Sequence, residues 1–306
     1  MENLRYILKR VLLAAISLFV IVTLTYFLMN LMPGDPFMSE KATEENRAIL
    51  IAKYGLDQPV YVQYARYLKN LFHGDMGTSF ILQKGRAVST IIVDSFLVSL
   101  RLGIKALLAA IFIGLTLGGI SGLHKDKPID SVIRVVTSIG ISMPGYVIAS
   151  ILMITLAVNL KVLPVTFGRP GGAIMPVITL ACYPSCYLTR LTRASILEVM
   201  NQDYLRTERA KGMSEFTVVF IHALKNSLIP VIIYLAPLTA SILTGGFVAE
   251  SVFNVPGLGR YFVSSISMRD YTMIMGITIF YSALIILMNL VCDILYKIVD
   301  PRIRLD

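Results

Sequence analysis

The residues able to do chemistry are few and poorly placed for it. Cys182 and Cys186, four positions apart on either side of Pro184, are the nearest pair of soft ligands. Both lie in an apolar run, as does Cys292, and they read as small hydrophobic residues rather than as a disulfide framework or a metal site. His73, His124 and His222 are scattered over different polar connections and make no ligand set. The chain holds no Gly-x-x-x-x-Gly-Lys-Ser/Thr phosphate loop, no His-Glu-x-x-His, no Gly-x-Ser-x-Gly and no Ser-x-x-Lys. A membrane enzyme is therefore disfavoured. One polar stretch stands apart, Tyr204-Leu205-Arg206-Thr207-Glu208-Arg209-Ala210-Lys211-Gly212. Residues 201–203 can cap a helix there, the charged residues continue it, and Gly212 supplies a left-handed turn that ends it. Ser214 and Glu215 then open a second short helix over 216–223, with Phe216, Val219, Phe220 and Ala223 as an apolar face. Charge on one side and apolar knobs on the other suit docking into a partner's groove; the alternative is a plain connecting loop.

That stretch lies between segments that belong in a bilayer. Of 306 residues, 56% are hydrophobic and only 15% charged, against about 25% charged in a soluble domain. Six uncharged apolar runs, 11–31, 106–123, 135–160, 171–189, 226–249 and 271–292, each approach the ~20 residues that cross a hydrocarbon core. The first lacks a small-residue cleavage site and ends in Asn30-Leu31-Met32-Pro33, so it reads as a retained anchor. The run 171–189 is broken by Pro176 and Pro184, which neighbouring helices can accommodate.

The net charge of +9 is an orientation signal rather than a nucleic-acid footprint. Arg5, Lys9, Arg10, Lys125, Lys127, Arg134, Arg190, Arg193, Arg206, Arg209, Lys211, Lys225, Lys297, Arg302 and Arg304 fall on one side of the spans. Only Lys161, Arg169, Arg260 and Arg269 fall in the opposite short loops. The excess marks the first side, with both termini and the 204–212 helix, as cytoplasmic. The long connection from Met32 to about Asp94 then faces outward. Within it, Pro59 opens an amphipathic helix in which Val60, Tyr64, Tyr67, Leu68 and Leu71 recur at helical spacing. That helix lies on the membrane, packs on the bundle, or offers a platform to an outside partner.

No acid, lysine or arginine sits centrally in a span. Glu250 and Asp293 fall at span ends, and Arg101 and Lys105 at the outer entrance of the second, either snorkelling to the interface or meeting an anionic substrate group. Ion-coupled transporters need buried ionisable relays, so any energy for transport comes from elsewhere.

Five blocks together carry a resemblance. Arg206-Thr207-Glu208-Arg209-Ala210-Lys211-Gly212, followed by His222-Ala223-Leu224-Lys225-Asn226 and Leu228-Ile229-Pro230, resembles the coupling-helix motif of ABC importer permeases, in the branch that imports oligopeptides, dipeptides and nickel. Arg206 stands in the place of that motif's glutamate and Lys225 in that of its proline, as in the peptide branch, whereas Glu208 replaces its usual alanine. Pro33-Gly34-Asp35-Pro36 is similar to the family's first extracellular signature. Gly55-Leu56-Asp57-Gln58-Pro59 with Gly74-Asp75-Met76-Gly77 and Ser79 is similar to its outer loop. Glu250-Ser251-Val252-Phe253-Asn254-Val255-Pro256-Gly257-Leu258-Gly259 is similar to the segment before its last span. Arg269-Asp270-Tyr271 and Asp300-Pro301-Arg302-Ile303-Arg304 complete the set.

The resemblance covers the chain and implies the B-type permease, an all-α polytopic membrane protein with six transmembrane helices in the type I ABC importer permease fold. It implies an N-terminal helix with an extracellular loop segment over 1–94, a five-helix core over 95–298 with the coupling helix at about 203–224, and a cytoplasmic tail over 299–306. It further implies a bacterial cytoplasmic membrane, a second homologous permease, two cytoplasmic ABC ATPases and an extracellular binding protein. The expected cargo is a peptide, with nickel-chelate, glutathione or another small ligand as alternatives, and a membrane enzyme or receptor-like protein as the remote one. No cofactor is expected on this chain, ATP-Mg being held by the partners, and the other contact is membrane lipid, not nucleic acid. Arg206, Thr207, Glu208, Arg209, Ala210, Lys211, Gly212, Ser214 and Phe216 would couple to the ATPase. The apolar, proline-containing stretch 252–258 suits a re-entrant hairpin. In it Phe253, Val255, Pro256 and Leu258 either form an outer gate or anchor the loop in the interface.

Overall fold

With no water to bond its backbone, a chain crossing hydrocarbon must satisfy its own N–H and C=O groups, which favours helices. The computed structural model describes residues 2–31, 57–244 and 246–299. Among the described residues there is no strand, only an isolated antiparallel bridge between Thr78 and Ala87. The blocks at 33–36 and 300–304, and the start of the one at 55–59, lie outside the described residues. The helices are α1 Glu2–Leu31, α2 Val60–Phe72, α3 Val88–Leu123, α4 Pro128–Ser142, α5 Gly145–Leu152, α6 Ile174–Met200 and α7 Asp203–Ala210. They continue with α8 Glu215–Thr217, α9 Leu224–Ser227, α10 Ile229–Thr244, α11 Phe247–Val252, α12 Leu258–Met268 and α13 Tyr271–Val299. Wide π-helical turns extend α5 over Met153–Asn159 and join α8 to α9 over Val218–Ala223.

Four helical stretches are long and apolar enough to cross a membrane: Leu8–Leu31, Val88–Leu123, Glu215–Val252 and Tyr271–Asp293. They hold four of the six expected runs. The run 135–160 is not one straight helix but two, α4 and the α5 stretch, meeting at 105°. The break falls at Met143, whose extended backbone (φ −82°, ψ 125°) is what the following Pro144 imposes. Counted as one broken span, this pair is a fifth. The run 171–189 forms most of α6, where Pro184 sits inside the helix without ending it; its two prolines, with Tyr183 and Tyr187, make this the least apolar of the six. The helix of the second run starts earlier than its hydropathy does. Arg101 and Lys105 therefore lie within a continuous α3, exposed on one face, rather than at its entrance.

The described residues form two compact units. The first joins the first 98 residues to Pro256–Leu287. In it α2 packs on α1: the Tyr64 hydroxyl lies 2.6 Å from Thr23 Oγ1, and Tyr26 contacts the rings of Tyr64 and Tyr67, both with centroids 5.2 Å apart. The amphipathic helix thus lies against α1, while its Tyr61 and Phe72 stay exposed. Val88, Ile91 and Ile92 of α3 make a core with Leu258, Met273 and Ile277. Gly276 lets α3 and α13 approach, since a β-carbon there would sit 2.5 Å from Val88 Cγ1.

The second unit, Ser99–Val255 with the residues from Met288 onward, is built on α6. Gly114, Gly118 and Gly122 of α3, one per turn, receive Leu188, Thr192 and Ile196 of α6. Added β-carbons would lie 2.4, 2.5 and 3.0 Å from those side chains, the close backbone approach that small residues allow between membrane helices. Gly140 of α4 admits Cys186 in the same way, at 2.4 Å. Both nearby cysteines are thus free thiols placed by packing. Ala106, Ala110, Ala181, Leu188, Val231, Leu238 and Ile242 fill the core among α3, α6 and α10.

Candidate functional site

The polar segment after α6 forms the helix expected of it, α7, and its cap falls within the expected 201–203 but without a side-chain bond. The N-cap is Gln202. Asn201 instead turns its amide back to Leu197 O at 3.0 Å, and Asp203 sits in the first turn, where its charge suits the helix dipole. One residue of α7 is buried: Leu205 packs against Val218 and Ala223, with Val199, Met200 and Met213 around them. The other side chains of α7 face outward or are half-buried. Burying one leucine contributes about 2 kcal/mol, so the apolar attachment of this helix runs along one line.

Gly212 ends α7 with φ +82° and open space where a β-carbon would project; its N–H donates to Arg209 O at 3.0 Å. Ser214 then caps the next helix by accepting from Thr217 N at 3.3 Å. Across this turn the Arg209 guanidinium grips Glu215 with two bonds, Nε to Oε2 at 3.1 Å and Nη2 to Oε1 at 2.8 Å. Each partner favours the other's charged form, so the Arg209 guanidinium lies above its ordinary range. Arg206 pairs with Asp203 at 3.4 Å, and Lys211 with Glu208 at 3.3 Å. Glu208, unexpected in its position, thus has a partner in the residue that caps the end of α7. The Asn226 amide donates to the Tyr204 hydroxyl at 2.8 Å, joining both ends of the segment.

The expected apolar face of Phe216, Val219, Phe220 and Ala223 is split. Val218, Val219 and Ala223 are buried, whereas Phe216 and Phe220 are exposed and stacked on each other with centroids 4.7 Å apart. The wide turn Val218–Ala223 explains this, because i→i+5 bonding rotates later residues away from the α-helical register. The segment therefore presents a charged helix beside an aromatic pair.

Sequence reasoning missed the strut behind it. Asp130, in the first turn of α4 and fully buried, accepts Arg193 Nε at 2.7 Å and Nη2 at 2.8 Å, Ser121 Oγ at 2.5 Å and Asp126 N at 3.1 Å. Only its place after Pro128 was visible, and that marks a helix start, not burial.

On the gate residues, Phe253, Val255 and Leu258 are buried and Pro256 is exposed. The stretch makes a tight turn between α11 and α12: Asn254 takes φ 51°, and Val255 N donates to Glu250 O at 2.9 Å. Leu258 belongs to the core of the first unit, while Phe253 and Val255 belong to the second.

A second polar centre joins two of the sequence blocks. Asp270, fully buried, accepts Ser79 Oγ at 2.6 Å and the backbone N–H groups of Ile81 and Leu82, both at 3.1 Å, while Thr272 Oγ1 donates to it at 3.0 Å. Burial raises this carboxyl, but the bonds from Ser79, Leu82, Ile81 and Thr272 outweigh it and hold it below its usual value. A depressed carboxyl stabilises fully above the unfolded value, about 3.9, and that stability is lost as pH falls through the folded value. Purified protein is therefore expected to lose thermal stability below about pH 4, with Asp270→Asn flattening that loss. An unchanged pH profile in Asp270→Asn would show that this centre holds nothing. Asp270→Ala, which strands the donors, should cost ~3 kcal/mol.

The family profile described as "Binding-protein-dependent transport system inner membrane component" matches residues 110–305, and that of its membrane component N-terminal region matches 3–102. The chain is 43% identical over 303 residues to the dipeptide transport system permease protein DppB of Bacillus subtilis, covering 98% of each chain. It is 40% identical to the oligopeptide transport system permease protein OppB of Haemophilus influenzae, covering 98% of this chain and 99% of the other. Among solved structures, an amino acid ABC transporter aligns with TM-score 0.57 and 16% identity over 68% of this chain and 94% of its own. The MetNI methionine ABC transporter aligns with TM-score 0.53 and 15% identity over 69% and 96%. These two likenesses speak for the fold alone, and the fold is that of ABC importer permeases. The helices long and apolar enough to span a membrane, the matched profiles and full-length relatives give one conclusion: this chain is a multi-pass membrane protein of the binding-protein-dependent transport system inner membrane component family.

Proposed function

We propose that the chain is a permease subunit of an ATP-driven peptide importer. Paired with a second, homologous permease, it forms the path for dipeptides or oligopeptides that an extracellular binding protein delivers. Two cytoplasmic ATPases hold ATP-Mg and supply the energy, and both termini of this chain lie on their side. The observation that carries the reading is α7, a charged helix whose one buried side chain is Leu205, closed by Gly212 and beside the exposed pair Phe216 and Phe220. Such an element can be gripped on its outer faces and pulled through its inner one. Residues Arg206 to Lys211, with Ser214 and Phe216, form the gripped surface. When the partners close around ATP, the two gripped segments of a permease pair move together. The helices behind them then rock as rigid bodies and open the path outward, and hydrolysis resets them. Phe253, Val255, Pro256 and Leu258 belong, in this reading, to the outer gate.

The test is uptake in vesicles holding both permeases, the ATPases and the binding protein. Labelled trialanine is expected to accumulate only with ATP on the ATPase side. Uptake that survives ATP depletion and collapses with an ion gradient would overturn the reading; uptake of a nickel chelate or glutathione in place of peptides would replace its cargo.

A further inference from the structure

Tyr183, Tyr187 and Arg190 follow one another at i, i+4 and i+7 and so share one face of α6. Together with Arg134 and Thr137 of α4, and with Arg193, they line an open cavity of about 620 Å3, a size typical of sites for small organic molecules. Tyr187 is braced there by stacking on Tyr234 with centroids 4.4 Å apart, while Tyr183 is 47% exposed.

The three guanidinium groups are not equivalent. Arg193 is committed to Asp130 through its two-bond fork, and Arg134 lies 3.6 Å from the same carboxylate. Arg190 makes no hydrogen bond or ion pair among the described residues and is exposed to the cavity's opening. With one aspartate against three arginines, the cavity keeps an excess of positive charge. Arg190 also sits roughly 15 Å along the helix from its end at Met200. It directly follows the apolar run 171–189, at the cytoplasmic mouth of the spans by the charge count, where water reaches it. It therefore sits where an anion passing through would meet it.

Resting on the peptide-importer reading above, we infer that this cavity binds the C-terminal carboxylate of the cargo peptide in transit, with Arg190 as the contacting group. The carboxylate is the one anion that every free peptide carries whatever its side chains, so a cationic contact is compatible with a permissive path. Arg134 adds field from the facing helix. Arg193, clamped by Asp130, fixes α6 against α4 so that the cavity keeps its shape. The faces of Tyr183 and Tyr187 take the adjoining apolar parts of the peptide, and their hydroxyls bond its amides.

The test uses the complete importer in vesicles, with binding protein saturated by trialanine or by its C-terminal amide. The ratio of free-acid to amide uptake is expected to fall about tenfold in Arg190→Gln, with Arg190→Lys restoring much of it. Amide uptake by the same variant reports that the complex is folded and coupled. A ratio that does not change in Arg190→Gln, while the unaltered importer still carries peptide, overturns the inference and leaves the peptide reading standing. No uptake of either peptide by the unaltered importer fails the peptide reading itself, and the inference with it. Phosphate of a lipid headgroup offers similar chemistry. The loss of preference must therefore persist in vesicles of phosphatidylcholine alone; a loss seen only with phosphatidylglycerol present assigns Arg190 to lipid and also overturns the inference.

Discussion

Gly212→Pro is expected to abolish ATPase activity stimulated by the loaded binding protein, while the subunit is still made and inserted. Gly212 has φ +82°, which the proline ring forbids, and its N–H, which proline lacks, donates to Arg209 O at 3.0 Å. The turn that carries the chain from α7 to α8 then cannot close, and Arg209 is pulled away from Glu215. Gly212→Ala keeps the N–H and meets no neighbour within 4 Å, so only the left-handed strain of ~1 kcal/mol remains, and coupling should be reduced rather than lost. Reversing both Arg209 and Lys211 to glutamate should uncouple as Gly212→Pro does, since Glu215 then faces a like charge. Exchanging Arg209 and Glu215 separates two roles, for the exchange restores the internal ion pair and inverts the presented charge. Coupling that returns on exchange makes Arg209 a brace of the turn; coupling that stays lost makes it a contact to the ATPase. Normal stimulated activity in Gly212→Pro would sink the assignment of α7 as the coupling element.

Asp130→Ala is expected to destabilise the subunit by about 3–5 kcal/mol, because removing one member of a buried pair leaves its partner's charge uncompensated. Here Arg193 would lose both of its bonds, and Ser121 Oγ and Asp126 N would lose their acceptor. The measurement is thermal unfolding of the purified complex in detergent. Removing both charges, as Asp130→Leu with Arg193→Met, should recover a large part of the loss, since a buried pair replaced by apolar groups is often close to neutral. If Asp130→Ala alone unfolds at the unaltered temperature, Asp130 is not the strut between α4 and α6. The two predictions differ in what they move: Gly212→Pro should leave unfolding temperature nearly unchanged, and Asp130→Ala should lower it.

Much of this was legible in the amino-acid sequence because it depends on neighbours in the chain. Hydropathy sums over consecutive residues, so the apolar runs could be read directly, and the left-handed Gly212 followed from a glycine behind a run of helix formers. The capping role of Ser214 is equally local. The exposure of Phe216 and Phe220 was not, because one wide turn changes which residues share a face, and side-chain hydropathy carries no sign of i→i+5 bonding. The 105° break within 135–160 was half visible, as Pro144, but a proline inside α6 at Pro184 causes no such break.

The sequence by itself determined that the chain crosses a membrane, that a charged helix punctuated by Gly212 separates two of its apolar runs, and which family its blocks resemble. These are properties of composition and short spacing, which no folding can alter. Only the tertiary structure decided that Leu205 is the side chain of that helix to be buried, that Asp130 and Arg193 lock α4 to α6, that Asp270 gathers the Ser79 loop, and that Arg190 is left with no partner among the described residues. Each of these depends on which of several similar charges or leucines a distant helix brings within about 3–4 Å, the range over which hydrogen bonds and packing act. Sequence distance says nothing about that separation.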